Sequence, residues 1–470
     1  MEPIWKKQWP ASIDEASLRL PEELLPVTRA RQARRVPAVV AIQFYGRAIA
    51  FAELHSAVGR FAGFLAGRGV QAGDRVAISL ENCPQFAIAY YGALRAGAIV
   101  VCLNPMHKAS ELLHEFNDSG AQVLVTSVPG YQMVAPIRAQ TGLSTIVLTE
   151  YRDYLPEQPS LPPPPSFLER AVECQMNMMA YLGTPLVAIG RFDLVTVLRA
   201  IELYRCTMTT LITTVNVAIV NFSRTKEFDL SSLRHCFSGG APVPPAIARR
   251  WEEITGHKLI EGYGLSETSA PTHINPPHRP KYGTIGVPIP FTQARIVDSN
   301  DAGTELAIGQ SGELAVRGPQ VMKGYWRNPE ASARAFHDGW FLTGDIGRVD
   351  EEGYFVIEER KKDLLKVSGF SVFPAEVEAI MFGHPAIAEV GVVGVKDPYR
   401  GEDPVAFVVL KPGAKGTVTE AQLVDWCRSA MSVYKAPRQI RFLDALPKTA
   451  SGKVLKRVLR EQAAPTGGES

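Results

Sequence analysis

Segments with helical spacing of apolar residues alternate along the chain with short apolar runs, and this alternation constrains the fold more than any other feature. Before residue 150 it predicts helices at 51–65, 84–95 and 109–117, and strands at 74–80, 98–103, 122–126 and 144–149. After residue 193 it predicts helices at 193–204, 215–221 and 243–255, and strands at 207–212 and 233–237. Such alternation is typical of an α/β fold, in which helices cover both faces of a parallel sheet and ligands bind at the carboxyl ends of the strands.

The second half of the chain changes character and predicts further domains. A chain of 470 residues is too long for one ordinary core. Short β segments broken by Gly and Pro run from 276 to 353, and a small α+β pattern follows. We therefore expect a large N-terminal domain with parallel sheets and a small β subdomain at 1–359, a small mobile α+β C-terminal domain at 360–461, and a disordered tail at 462–470.

Composition narrows the class of protein without naming a function. Hydrophobic residues make up 46% of the chain and charged residues 21%, as in soluble globular proteins. The formal net charge of +2 comes with no basic stripe, so nucleic acid is not an expected partner. The first ten residues lack the apolar core of a secretory signal. Arg95 and glycines interrupt the most apolar run, 87–103, so we expect no transmembrane segment.

Cysteine and histidine usage predicts neither a disulfide framework nor a metal cluster. The six cysteines are scattered and form no Cys-x-x-Cys pair, which fits a reducing cytoplasm. The nine histidines show no metal-ligand spacing. We therefore expect a cytoplasmic protein, while its oligomeric state and any peripheral contact with a membrane stay open.

One short stretch, 261–269, combines residue types that suit a nucleotide. Its sequence is Glu-Gly-Tyr-Gly-Leu-Ser-Glu-Thr-Ser, and its two glycines allow a sharp turn and a close approach to a ligand. Tyr263 offers a flat wall for a base, and Glu267 offers an oxygen ligand for Mg²⁺. Ser266 and Thr268 offer hydroxyl donors to phosphate. By themselves these residues fit a glycine-rich turn with a polar tip equally well.

Further motifs decide between these interpretations. They are Gly-Trp-Phe-Leu-Thr-Gly-Asp at 339–345, Glu-Arg-Lys-Lys-Asp-Leu-Leu-Lys-Val-Ser-Gly at 359–369, and Pro-Lys-Thr-Ala-Ser-Gly-Lys at 447–453. With these motifs in this order, the chain resembles the adenylate-forming (AMP-binding) superfamily, which includes acyl-CoA synthetases, luciferases and the adenylation domains of peptide synthetases. The resemblance runs from about residue 39 to about residue 460. Within the superfamily the chain looks most like bacterial medium- and long-chain fatty acyl-CoA ligases.

The resemblance implies a two-step reaction that uses ATP, Mg²⁺ and CoA. A carboxylate attacks the α-phosphorus of ATP, giving an acyl-adenylate and pyrophosphate, and a thiol then displaces AMP. It implies that Asp345 and Arg360 bind the ribose hydroxyls and that Tyr263 lies along the adenine. Glu267 is implied to hold Mg²⁺, and Thr268 to donate to phosphate. The remaining implied nucleotide-site residues are Glu261, Gly264, Gly239, Gly240 and Ala241.

Residues near the C-terminus are implied to serve both half-reactions. Lys453 is implied to bridge the carboxylate and the α-phosphate during adenylation. Lys362 and Asp363 match the hinge about which the small domain rotates between the two steps. Gly369 matches a residue that lines the pantetheine tunnel, and Lys366 is expected near the same surface.

The chain departs from its family in one region. The resemblance implies a Ser/Thr/Gly-rich loop ending in Pro-Lys-Gly that wraps the ATP phosphates, with a helix and part of the acyl pocket after it. No Gly-rich loop with a lysine stands between 126 and 191, where the chain instead carries a proline-rich run at 156–165. We therefore expect an internal deletion near 174–176. A natural deletion, an error in the assigned gene and an engineered change all fit.

Loss of that loop predicts a specific defect. Removing one preorganised donor typically costs roughly 10²–10³ in rate, so at least ~10² is expected for a whole loop. The expected protein is an ATP-dependent acyl-CoA ligase with impaired adenylation, acting on a fatty acid, although an aryl acid also fits. Two alternatives stay open: a non-catalytic AMP- or acyl-binding pseudoenzyme, and an adenylating enzyme that loads a carrier protein.

Overall fold

The computed structural model describes residues 3–20, 22–161, 184–189, 192–269, 271–367, 370–397, 399–448 and 454–463. The chain divides into two units. The N-terminal unit consists of Arg19–Cys206 and Ser223–Ser232, and the C-terminal unit of Met1–Leu18, Thr207–Phe222 and Leu233–Ser470. The domain boundary predicted at residue 360 falls inside the C-terminal unit and stays a prediction.

The N-terminal unit is built from helices and mostly parallel strands. Its helices are α1 (Leu25–Arg35), α2 (Phe51–Gly67), α3 (Pro84–Arg95), α4 (Ala109–Ser119), α5 (Val128–Val134) and α6 (Leu194–Tyr204). Its strands are β1 (Val40–Phe44), β2 (Arg47–Ala50), β3 (Arg75–Ser79), β4 (Ile99–Cys102), β5 (Val123–Ser127), β6 (Thr145–Thr149) and β7 (Leu186–Ala188). One sheet has the order β4-β3-β5-β6 with every pair parallel, which confirms the predicted α/β sheet. In a second sheet, β1 pairs antiparallel with β2 and parallel with β7.

This architecture follows from the burial of the apolar runs. Every residue of β5 is buried, as expected for a parallel strand covered on both faces. Leu54, Val58 and Leu65 of α2 are fully buried, because their helical spacing puts them on one face. Among the described helices of the whole chain, none is long and apolar enough to cross a membrane.

The first sheet of the C-terminal unit carries Gly239 at the end of one strand and residues 261–264 in the next. Its helices are α7 (Thr213–Asn221) and α8 (Pro245–Thr255), and its strands are β8 (Met208–Ile212), β9 (His235–Gly239), β10 (Leu259–Gly264), β11 (Pro271–Ile274) and β12 (Val287–Pro288). β8, β9 and β10 are parallel, whereas β11 and β12 are antiparallel additions. The stretch 261–269, interpreted from sequence as a loop, therefore begins as a strand, because β9 and β11 both pair with it.

Two further sheets complete the C-terminal unit. The helices are α9 (Pro329–Ala335), α10 (Pro374–Phe382), α11 (Glu420–Ala430) and α12 (Lys456–Ala463). The strands are β13 (Gln293–Val297), β14 (Gly312–Arg317), β15 (Phe336–His337), β16 (Trp340–Val349), β17 (Phe355–Arg360), β18 (Leu365–Val367), β19 (Phe370–Val372), β20 (Ile387–Asp397), β21 (Gly401–Leu410) and β22 (Gln439–Phe442). β13 to β17 form one sheet and β18 to β22 the other. Sequence reasoning did not predict α12, which pairs with the predicted hinge residue Asp363.

Candidate functional site

Asp345 and Arg360 meet across two antiparallel strands of the C-terminal unit. β16 and β17 put the two residues opposite each other in register, and Arg360 Nε lies 2.8 Å from Asp345 Oδ1. The Asp345 side chain is 3% exposed, whereas the Arg360 side chain is 32% exposed. Gly344 has a φ of +71°, a conformation that favours glycine, so the bend before Asp345 depends on this residue. The structure thus brings together the two residues predicted to bind ribose.

Tyr263 reaches the same carboxylate from a different sheet. Its hydroxyl donates to Asp345 Oδ2, and its ring packs edge-on against His273 with the ring centroids 6.0 Å apart. Burial, and then the negative charge of Asp345, raise the pKa of Tyr263 well above its ordinary value, so the hydroxyl keeps its proton. Tyr263, predicted to lie along the adenine, therefore also belongs to the group around Asp345.

Bonds to the backbone fix the position of Asp345. Thr343 Oγ1 accepts from the Asp345 N–H at 3.1 Å and donates to a backbone carbonyl of β14 at 2.8 Å. The buried Glu313 accepts from the Gly344 N–H at 3.0 Å and pairs with Lys361 Nζ at 2.7 Å. The bend that presents the carboxylate is therefore held on both sides.

The two residues predicted on the phosphate side lie in a single 3₁₀ turn, Ser266–Thr268. Glu267 is half-buried, and its Oε1 accepts a hydrogen bond from the Tyr325 hydroxyl at 3.0 Å. Thr268 is buried, and its hydroxyl bonds both the N–H and the carbonyl of Leu265 at 2.9 Å. The Thr268 hydroxyl therefore serves the turn, and its role as a donor to phosphate stays a prediction.

Glu267 suits a magnesium ion that arrives together with a nucleotide. Mg²⁺ usually binds one or two carboxylates plus substrate phosphates, without an all-protein cage. In the part of the chain that the structure describes, no group of three or more His, Cys, Asp or Glu side chains could hold a metal by itself. The donor set at this position therefore fits Mg²⁺ held jointly by Glu267 and phosphate oxygens.

The end of β9 and the turn after it contain the predicted residues Gly239, Gly240 and Ala241. Gly240 has a φ of +84°, a backbone conformation that favours glycine. A Cβ at Gly239 would lie 3.6 Å from the Gly262 carbonyl oxygen, so the turn runs close to β10. Thr213 Oγ1 donates to the Ala241 carbonyl at 2.6 Å and anchors the turn. The structure thus brings these residues beside the motif that contains Tyr263.

Glu261 serves the same turn from within β10. Its Oε2 accepts from the Val243 N–H at 3.1 Å, and the residue is buried. Burial raises the pKa of Glu261 to about 8, while the bond from Val243 opposes that rise. Gly264, by contrast, is exposed at the end of β10. Of these two residues, only Gly264 is accessible to a ligand in this structure.

The predicted hinge is tied to α12. Asp363 is buried and pairs with Arg460 of that helix, whereas Lys362 is exposed. The Lys366 N–H donates to Glu402 at 2.8 Å, and Lys366 borders an open pocket of about 480 Å³. The other residues that line this pocket are Lys396, Asp397, Gly401 and Glu402. Gly369, Lys453 and the predicted seam at 174–176 lie outside the described residues.

Sequence reasoning missed several residues that contact the predicted site residues or lie next to them in the structure. Lys456 Nζ lies 3.3 Å from Glu359 Oε2 and 3.2 Å from Glu378 Oε1. The spacing of Lys456 and Arg460, one helical turn apart, could have indicated a basic helix face. No local pattern could have found Tyr325 as a partner of Glu267, because that contact joins residues far apart in the chain.

Comparison with known proteins gives matches along most of the chain. A family model described as AMP-binding enzyme matches residues 29–169 and 161–326, and one described as AMP-binding enzyme C-terminal domain matches 376–453. A long-chain-fatty-acid–CoA ligase of Bacillus subtilis (strain 168) is 33% identical over 550 positions, covering 97% of this chain and 98% of the relative. A feruloyl-CoA synthase of Amycolatopsis sp is 33% identical over 488 positions, covering 92% of this chain and 97% of the relative. The solved structure of the anthranilate CoA ligase AuaEII in complex with anthranoyl-AMP has a TM-score of 0.84 and 25% identity, covering 96% of this chain and 99% of that one.

The matches also bear on the expected internal deletion. The AMP-binding enzyme model matches in two pieces that meet at 161–169. The alignment with the Bacillus ligase has 550 positions, more than the 470 residues of this chain, so part of the relative has no counterpart here. The two pieces of the family match overlap at 161–169, and the deletion expected near 174–176 stays a prediction.

Proposed function

Because the chain belongs to the AMP-binding enzyme family, on its acyl-CoA synthetase branch, we propose that it is an ATP-dependent ligase that joins a fatty acid to CoA. One observation carries the proposal: Asp345 is held by Tyr263 on one oxygen and by Arg360 on the other. A carboxylate can accept from both hydroxyls of a ribose, and the fork of an arginine suits paired oxygens. The group therefore has the chemistry that a bound AMP moiety requires.

In the first proposed step, an oxygen of the acid forms a bond to the α-phosphorus of ATP, and the bond to the β-phosphate oxygen breaks to release pyrophosphate. Asp345 and Arg360 hold the ribose, while the ring of Tyr263 flanks the base. Glu267 helps to hold Mg²⁺, which when bound neutralises phosphate charge. Lys453 supplies positive charge between the carboxylate and the α-phosphate.

In the second proposed step, the CoA thiol gives its proton to water and its sulfur forms a bond to the acyl carbon, while the bond from that carbon to the phosphate oxygen breaks to release AMP. Rotation about Lys362 and Asp363 brings the small domain into place for this step. Gly369 leaves room for the pantetheine, with Lys366 close to it. CoA is proposed as the acceptor because the relatives reported above are named as CoA ligases or a CoA synthase. A cytoplasmic location, with ATP and CoA at hand, is part of the proposal.

The expected internal deletion adds a proposal about rate. If the missing segment is the phosphate-binding loop, several preorganised donors are lost from the adenylation step alone. We expect adenylation to be slowed by at least ~10² relative to a full-length relative. The residues proposed for the thioester step are all present in the sequence, so that step should be retained.

The test is acid-dependent release of AMP by the purified chain with ATP, Mg²⁺, CoA and a panel of fatty and aryl acids. Lys453→Ala should lower any release, because it removes the proposed charge bridge. Lys448→Ala is the matched control, since Lys448 belongs to the same motif but pairs with Glu389 at 2.7 Å. Thermal unfolding of each variant shows that a loss of release does not come from misfolding.

The outcomes separate the parts of the proposal. Slow release that depends on Lys453 supports a ligase with impaired adenylation, and release as fast as in a full-length relative refutes the impairment. If folded protein releases no AMP, supplying a preformed acyl-adenylate and CoA tests the second step directly. Formation of acyl-CoA then supports the ligase, whereas AMP binding without either step identifies a pseudoenzyme. Transfer to a carrier protein, with CoA inactive, rejects CoA as the acceptor.

A further inference from the structure

The hydroxyl of Tyr263 makes a contact that its expected place beside adenine does not explain. A base needs only the flat face of the ring, and a phenylalanine provides that face equally well. In this structure the hydroxyl donates to Asp345 Oδ2 across 82 residues of sequence. The ribose-binding carboxylate is therefore contacted from two elements, with Tyr263 on β10 and Arg360 on β17.

The surroundings of Tyr263 hold its ring in one place. His273 is its register partner on β11 and packs edge-on against it. His273 in turn packs on Phe355, with ring centroids 4.7 Å apart, and is fully buried. Burial lowers the pKa of His273 to about 3, so the imidazole is a neutral packing group at physiological pH. The hydroxyl of Tyr263 is therefore presented by a rigid support.

This contact changes the way in which Arg360 can hold Asp345. Arginine and carboxylate groups often pair through two parallel hydrogen bonds, which would engage both carboxylate oxygens. Here Arg360 contacts Oδ1 through Nε, while its Nη1 is 3.4 Å from the Thr343 carbonyl oxygen. The tyrosine hydroxyl at Oδ2 opposes rotation of the carboxylate into a two-point pair with Arg360.

We propose that Tyr263 is a positioning residue, whose hydroxyl sets the direction of the Asp345 carboxylate toward the two ribose hydroxyls. The proposal rests on the nucleotide-binding function proposed above and adds a residue role to it. Without the hydroxyl, Asp345 turns toward Arg360 and presents its oxygens to the ribose less well. The two parts of Tyr263 then have separable roles. The ring flanks the base, and the hydroxyl orients Asp345, which binds the ribose.

The test is calorimetric binding of AMP and of 2′,3′-dideoxy-AMP to the purified chain and to Tyr263→Phe. Neither titration requires the chain to catalyse adenylation. We expect Tyr263→Phe to weaken AMP binding by about 5- to 20-fold, which is less than the loss of a direct hydrogen bond to a charged group because the hydroxyl acts through Asp345. Binding of the dideoxy analogue should be unchanged, because it lacks the hydroxyls that Asp345 recognises.

Two further variants separate positioning from packing. In an Asp345→Asn background, Tyr263→Phe should add little further loss of AMP affinity, since both changes act on the same interaction. Tyr354→Phe is the matched control, because it removes another tyrosine hydroxyl, one that donates to the Arg279 carbonyl at 2.7 Å. Its AMP affinity should equal that of the parent chain even if its Tm is lower.

Three outcomes would overturn the inference. Equal weakening of both ligands by Tyr263→Phe would assign the hydroxyl to the base or to general packing. Unchanged AMP binding would show that Asp345 needs no help from Tyr263. If the parent chain binds no AMP at all, the proposed function itself fails and this inference fails with it. If the parent chain binds AMP but Tyr263→Phe has no effect, only this inference fails.

Discussion

Strand β17 ends in two consecutive residues that face different surroundings. Arg360 contacts Asp345 in the proposed ribose site, whereas Glu359 contacts Lys456 of α12. Successive residues of a strand point to opposite faces of the sheet, so this division follows directly from β geometry. We call the residues Tyr263, Asp345 and Arg360 the ribose cluster, and Glu359, Glu378 and Lys456 the helix cluster.

The two clusters use charge for different purposes. In the helix cluster, one ammonium group serves two carboxylates, and the Glu359 side chain is only 6% exposed. Burial alone would lower the pKa of Lys456, but the charges of Glu378 and Glu359 outweigh it and raise that pKa. In the ribose cluster, a guanidinium that is partly open to solvent faces a buried carboxylate. The first arrangement attaches a helix, and the second is proposed to present polar groups to a ligand.

The largest expected effect tests the structural role of the helix cluster. Lys456→Met keeps the aliphatic stem but leaves the buried Glu359 and the half-buried Glu378 without their cation. Breaking a buried pair typically costs 3–5 kcal/mol, and we expect about 3 kcal/mol because the Glu378 side chain is 22% exposed. This loss of stability should appear as a lower denaturant midpoint and a lower Tm, and the AMP affinity should not change.

A neighbouring residue on the same helix is the control for this prediction. Arg457→Met removes a surface pair with Glu461, in which the arginine side chain is 78% exposed. Such pairs contribute about 0–1 kcal/mol, so its midpoint should barely move. If Lys456→Met is as harmless as this control, or if it weakens AMP binding, the division between the two clusters is wrong.

The next largest effect tests the ribose cluster. Asp345→Asn keeps the shape of the side chain but removes its negative charge. That charge is expected to attract Arg360 and to accept hydrogen bonds from the ribose hydroxyls. We expect AMP binding to weaken by about 10- to 100-fold, as for loss of hydrogen bonds to a charged group. Calorimetry measures this change, and an AMP affinity equal to that of the parent chain would contradict the ribose assignment.

A third prediction concerns the pH dependence of stability that the buried carboxyl group of Glu261 produces. Glu261 accepts from the Val243 N–H, and in the described part of the chain it has no ion pair comparable to that of Glu359. Its pKa is about 8 in the folded protein, against an ordinary value of 4.5. Between these values the folded state binds more protons than the unfolded state, so stability falls as the pH rises. The expected slope is up to about 1.4 kcal/mol per pH unit, and it levels off above pH 8.

Denaturant midpoints from pH 5 to pH 9, measured for the parent chain and for Glu261→Gln, check this slope. The glutamine cannot ionise, so the stability of the variant relative to the parent should increase with pH until about pH 8. Parallel profiles for the two proteins would show that Glu261 does not titrate as proposed.

The smallest expected effect concerns Tyr325 and Glu267. The tyrosine hydroxyl orients Glu267 through a single hydrogen bond of 3.0 Å, and Tyr325 is 40% exposed. An accessible bond of this type contributes about 0.5–1 kcal/mol, so Tyr325→Phe should weaken binding of Mg²⁺–ATP by roughly threefold. Binding of AMP without Mg²⁺ is the internal control and should not change. Equal weakening of both would place Tyr325 at the nucleotide instead of the metal.

The amino-acid sequence predicted the elements and the main site residues because both leave local patterns. Spacing of apolar residues predicted α2 and the parallel strands, and short motifs in a fixed order indicated Asp345 and Arg360 as candidate site residues, which the structure pairs. The antiparallel return of β11 was missed, since a strand of only four residues has too few positions to show a period. The use of the Thr268 hydroxyl within its own turn was missed because its partner is a backbone group.

The sequence by itself determined the α/β class, the family and the identity of the charged residues, since these depend on residue types within short segments. Only the tertiary structure decided which charges meet. Tyr263 and Asp345 are 82 residues apart, and Glu359 and Lys456 are 97 apart. Contacts over such separations depend on how strands pair and where a helix packs. For the same reason, only the structure shows that neighbouring residues of β17 face a proposed ligand site on one side and a supporting helix on the other.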